Sequence, residues 1–142
     1  MDEGIKINDI VYAISNKIDT LTEGKYHIYD NKKEQGFEYP AFYIKLLKGS
    51  VSQFIGNRYD NKLYFDIHGF AFDDDSREAN LRNMANLLEN LEYIKLENGD
   101  LLNARNMEYE IEDGVLHYLV DYSFIGKKVE IPGDMMEQIT IE

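Results

Sequence analysis

Asp113-Gly114 stands between two runs that alternate apolar and polar residues, and this pattern constrains the chain more than any other. With Glu112 paired to Val115 across a two-residue turn, Ile111 faces Leu116, Tyr109 faces Tyr118 and Met107 faces Val120. All six lie on one face, and Tyr122 and Phe124 extend it. A one-residue slip would turn the whole set toward water, so the pattern specifies its own register. The opposite face carries Glu108, Glu110, His117, Asp121 and Ser123 and is wetter.

The rest of the chain supplies more hairpins and two helices. Residues 5–21 predict a helix, because Ile7, Ile10, Val11, Ile14, Ile18 and Leu21 recur at steps of three and four. Gly24 follows, where a helix end favours positive φ. Residues 26–29 read as a short strand, and residues 30–38 as a polar loop. Pro40 holds Tyr39 extended. Residues 41–47 form the next strand, with Phe42, Ile44 and Leu46 on one face and Tyr43, Lys45 and Leu47 on the other. Gly49-Ser50 reads as a break. Residues 51–59 and 62–72 then read as two strands joined at Asp60-Asn61, with Leu63, Phe65 and Ile67 on the apolar side. A second helix runs to about Leu91, with Leu81, Met84, Ala85, Leu88 and Leu91 as its stripe and Asp75 with Glu78 as a capping box. Asn98-Gly99 marks another hairpin. The expected fold class is α+β: an antiparallel-rich mixed β-sheet built from hairpins, with two helices packed on it.

A chain of 142 residues fits one domain, and such a length buries roughly 70% of its unfolded surface without staples. The domain is expected over residues 1–127, with 128–142 as a C-terminal arm. The absence of Cys excludes disulfides, thiolate zinc sites and cysteine nucleophiles. The acidic start is unlike a signal peptide and no window is long and apolar enough for a membrane span, so a soluble protein made in a cytoplasm is expected. The formal charge of −12 repels phosphate backbones and argues against ordinary nucleic-acid binding. It leaves room for an acidic DNA-mimic inhibitor, or for a wall past which DNA slides without sticking.

Motifs for chemistry are weak. Asp73-Asp74-Asp75 lacks the alternate spacing and glycine of a calcium loop and reads as helix capping. His27, His68 and His117 sit in separate strands without metal-ligand spacing. There is no Gly-x-Ser-x-Gly elbow and no phosphate loop. No enzyme activity, cofactor or metal is expected. Residues 48–58 differ, combining small residues, amides, Phe54 and Arg58 between apolar strands, so a hairpin here could project and grip a neighbour. The candidate contacts are Ser52, Gln53, Phe54, Asn57 and Arg58, together with Met135, Met136, Ile139 and Ile141 in the arm.

The order of elements is joined by distinctive segments: Ile7-Asn8-Asp9-Ile10-Val11, Glu38-Tyr39-Pro40-Ala41-Phe42-Tyr43-Ile44, Tyr64-Phe65-Asp66-Ile67-His68-Gly69-Phe70 and residues 115–122. Over residues 5–127 the chain resembles the small tail terminator (tail completion) proteins of tailed phages, prophages and phage-tail-like bacteriocins of Gram-positive bacteria. That resemblance implies a homo-oligomeric ring, usually of six copies, closing the head-proximal end of the tail tube in the virion. The implied partners are the tail tube, the sheath of a contractile tail and the head–tail connector, with DNA passing through unbound. Another neck or connector protein is the alternative within this class.

Overall fold

The computed structural model describes residues 4–30 and 38–129. Helix α1 spans Ile7–Thr22 and buries Ile10, Ala13, Ile14, Ile18 and Thr22 along one stripe. The Thr22 hydroxyl, buried with that stripe, donates to the Ile18 carbonyl at 2.9 Å. Glu23 and Gly24, with φ of 56° and 73°, turn the chain out of the helix, and the Gly24 N–H returns to the Asp19 carbonyl.

Strands β1 (His27–Tyr29), β2 (Ala41–Ile55) and β3 (Arg58–Phe70) precede helix α2 (Arg77–Leu88), which continues as a 3-10 turn over Glu89–Glu92. Strands β4 (Tyr93–Lys95), β5 (Leu101–Glu112) and β6 (Val115–Gly126) complete the sheet. Its six strands run in the order β1-β2-β3-β6-β5-β4. Only β1 and β2 are parallel; the other neighbours are antiparallel. The α+β class is as expected. Both helices contribute to one core with the sheet face carrying Phe42, Ile44, Leu63, Phe65, Ile67, Leu116, Tyr118, Val120 and Tyr122.

The β5–β6 hairpin has the register that its alternation demands, with Ile111 opposite Leu116, Tyr109 opposite Tyr118 and Met107 opposite Val120. Asp113 and Gly114 both take positive φ, 54° and 75°, as a tight hairpin turn requires. Arg77 lies over this turn, so closely that a Cβ on Gly114 would come within 2.6 Å of its guanidinium carbon. Beyond Asn106 the ladder shifts at Arg105, so the buried positions change parity to Leu102 and Ala104. Tyr109 stacks on Tyr118 with parallel rings 5.5 Å apart.

Two expectations are corrected. Residues 41–55 form one strand with no break at Gly49-Ser50, and its hairpin turns at Gly56-Asn57 rather than Asp60-Asn61. Gly56 supplies the positive φ, and the Gln53 side chain donates to its carbonyl at 2.7 Å, closing the turn. A Cβ on Gly49 would lie 3.0 Å from Leu63 Cδ2, a tight contact that the leucine side chain would have to relieve. Asn61 is instead buried within β3. Its amide donates to the Lys127 carbonyl at 2.9 Å and accepts from the Val129 N–H at 3.0 Å, tying down the chain just past β6. The second correction concerns α2. Its N-cap is Ser76, without a capping box, and the Asp74 carboxylate accepts from the Ser76 N–H and hydroxyl. Asp73 pairs with Arg77 at 3.2 Å. The acidic run therefore organises the helix start, as capping predicts, but through Asp74.

Tyr122 is fully buried on β6, and its hydroxyl donates to the Leu91 carbonyl at 2.6 Å, joining sheet to 3-10 turn. Burial, then the neighbouring Tyr118, push its phenol well above the ordinary range. Tyr122→Phe leaves that buried carbonyl unpaired and is expected to lower unfolding free energy by about 1–2 kcal/mol. Urea denaturation checks this; an unchanged midpoint would show that the bond contributes nothing.

Candidate functional site

The β2–β3 hairpin is the first candidate surface. Past Leu46, β2 leaves the core, and every residue from 47 to 58 is exposed. Phe54 and Ile55, 54% and 67% exposed, place apolar side chains in water beside the turn, with Val51 also open. The loop chemistry explains the shape: a positive-φ glycine and the Gln53 bond make the turn, and a register shift between Gln53 and Ile55 displaces Phe54 from the ladder. Asn57 and Arg58 border an open cleft of about 510 Å³, shared with Ile5, Asp100, Ile125 and Lys127. Five sequence-derived candidates, Ser52, Gln53, Phe54, Asn57 and Arg58, thus fall on one exposed hairpin. Gln53 already has a structural task there. Met135, Met136, Ile139 and Ile141 lie outside the described residues.

A polar cluster occupies the sheet face opposite the helices. Asp66 and His68 are two residues apart on β3 and so share a face, while His117 sits directly across from His68 on β6. One carboxylate oxygen, Asp66 Oδ2, lies 3.0 Å from His68 Nε2 and 3.3 Å from His117 Nδ1. The imidazole rings are 4.5 Å apart, and Tyr43 packs edge-on against His68. Asp66 is only 8% exposed, and its Oδ1 is buried without a hydrogen-bond partner. Burial acts to raise its carboxyl, but the hydrogen bond and charge of His68, then of His117, outweigh it and hold the group below its ordinary value.

Sequence reasoning treated these histidines as isolated strand residues. Their meeting depends on the β3–β6 register, and sequence separations of 49 and 51 residues give no local signal of it. The polar Asp66 between buried Phe65 and Ile67 was the one available hint. Among the described residues, these three offer donor atoms close enough to share a cation, all within 4.8 Å. Two imidazoles and a carboxylate form a zinc-type donor set. As the side chains stand, the carboxylate serves both rings by hydrogen bonding. His27, by contrast, sits near Glu38 on the surface, 3.8 Å away.

Comparison with known proteins supplies the role. The chain is a phage tail structural protein. It belongs to the phage tail terminator family, whose model, described as phage tail terminator protein, matches residues 9–134. That span runs from α1 to beyond β6 and bears out the resemblance carried by the sequence. No curated protein matches the chain. The family is a structural one and makes the protein a virion component. No helix among the described residues is long and apolar enough to cross a membrane.

Because the folded Asp66 carboxyl lies below its unfolded value, its contribution is present above about pH 3.9 and is lost as pH falls through the folded value. Asp66→Asn is therefore expected to cost about 1–3 kcal/mol at pH 7, with the gap to wild type closing in strong acid. Urea unfolding followed from pH 7 down into strong acid measures both; a gap that stays constant over the whole range would assign the loss to packing instead.

Proposed function

We propose that the protein closes the head-proximal end of the phage tail tube as a ring, usually of six copies, and so stops tube polymerisation. The family match over residues 9–134 is the observation that carries this reading. The physics is compatible. A ring built head to tail uses two different patches on each subunit and closes by rotation. A terminator must match the end of the tube on one side and offer no copy of that end on the other. The exposed β2–β3 hairpin, with Ser52, Gln53, Phe54, Asn57 and Arg58, is suited to one such contact, and the arm at 128–142, with Met135, Met136, Ile139 and Ile141, is assigned to another.

The charge supports the same role. A net −12 lets carboxylates line a lumen through which DNA passes without adhering. In a contractile tail the ring also meets the last sheath ring, and in a complete phage the head–tail connector. In a headless bacteriocin it simply caps the tube. Assembly takes place in the host cytoplasm.

Particles made without the protein are expected to carry tails of uncontrolled length by electron microscopy. Replacing Phe54 and Ile55 together by Asp should change folding stability by less than about 0.5 kcal/mol per site, because both are exposed, yet abolish decoration of tube ends. Wild-type protein that stays monomeric and never binds tube ends would overturn the reading.

A further inference from the structure

Among the described residues, the sheet ends in two short strands that leave most of its margins open. β1 covers only residues 41–43 of β2, and β4 covers only residues 101–103 of β5. Among the described residues, 44–55 of β2 and 104–112 of β5 have no strand on their outer side. Open margins of this length present rows of backbone donors and acceptors that a second strand can satisfy.

The two margins are opposite in charge. β2 carries Lys45 and Lys48 and no acid along its fifteen residues, in a chain of net charge −12. β5 carries Glu108, Glu110 and Glu112 against Arg105 alone. Their positions also correspond. Lys45 lies opposite Asp66, Asp66 opposite Leu119, and Leu119 opposite Glu108, so Lys45 and Glu108 end one row across the sheet. By the same count Ile44 shares a row with Tyr109, and Gly49 with Ala104. Rotation about an axis along the strands keeps each row at its own height. It sets residues 44–49 of one copy against 104–109 of the next. Three successive antiparallel pairings separate β2 from β5, so the two strands run in opposite directions and the junction is antiparallel.

We propose that neighbouring copies join edge to edge, β2 of one adding to β5 of the next as an antiparallel pair with Lys45 facing Glu108 across the junction. This assignment rests on the ring reading above and names the surface that makes the ring. The occupant is a second copy because each margin is the chemical complement of the other on the same chain. Pairing β5 with β5 would set glutamates together, and β2 with β2 would set lysines together, so the head-to-tail arrangement is favoured. The register shifts at Leu47 and Arg105 bend both margins and restrict pairing to a partner of matching twist.

Charge reversal tests it. Lys45→Glu and Glu108→Lys, both at exposed positions, should each move the ring–monomer balance toward monomer by at least about tenfold in protein concentration, and the double swap should restore rings. Light scattering on a sizing column and negative-stain images read the outcome, with circular dichroism confirming the fold of each variant. Since the chain has no cysteine, Lys45→Cys with Glu108→Cys gives a second reading. Within one copy these positions are three strand spacings apart, about 14 Å, too far for a disulfide. Mild oxidation should therefore yield covalent multimers that close at the ring size. If wild type forms rings but the single variants do too, if the double swap fails to restore them, or if the cysteine pair stays monomeric, the edge assignment falls and the ring reading stands. If wild type never forms rings, both fall.

Discussion

The antiparallel pairing of β3 with β6 joins the two halves of the chain. β3 ends the first hairpin and β6 ends the last, and eleven residue pairs from Tyr59–Gly126 to Gly69–Leu116 lock them side by side. Neither hairpin could bury its apolar face alone. Together they make a continuous floor of Leu63, Phe65, Ile67, Leu116, Tyr118, Val120 and Tyr122, and the two helices cover it. Gly69 shows how closely the parts fit there: a Cβ on it would meet Leu116 at 3.2 Å and Met84 at 3.3 Å.

The same pairing creates features that neither hairpin contains. It brings His117 against His68 and onto the Asp66 carboxylate, on the face away from the helices. It puts Asn61 beside the chain leaving β6, where its side-chain amide acts like a missing backbone partner for residues 127 and 129. It also aligns the rows that run from β2 to β5. Central-strand register thus controls interior chemistry and outward geometry through one set of hydrogen bonds.

Charge has two scales in this protein. The net −12 acts at long range and repels other polyanions. The local pattern is more selective, because the cations of β2 and the acids of β5 occupy opposite margins of the sheet. In the ring proposed above, specificity would reside in such shape and charge relations between neighbouring copies.

By itself the sequence determined the helices, the β5–β6 hairpin with its register, and the α+β class, because period-two and period-3.6 patterns and a two-residue positive-φ turn are local signals. It also carried the family through the order of its elements. It misplaced the β2–β3 turn: both Asp60-Asn61 and Gly56-Asn57 are turn-compatible pairs, but Gly56 takes positive φ without a Cβ penalty, and packing uses Asn61 inside the sheet. The capping box was misread for a related reason, as Asp74 and Asp75 are chemically equal until the chain direction selects one. Only the tertiary structure joined Asp66, His68 and His117, exposed Phe54 and Ile55, and, among the described residues, left two long sheet margins open. Those depend on which strands become neighbours, a choice set by burying all the apolar faces at once rather than by any one segment.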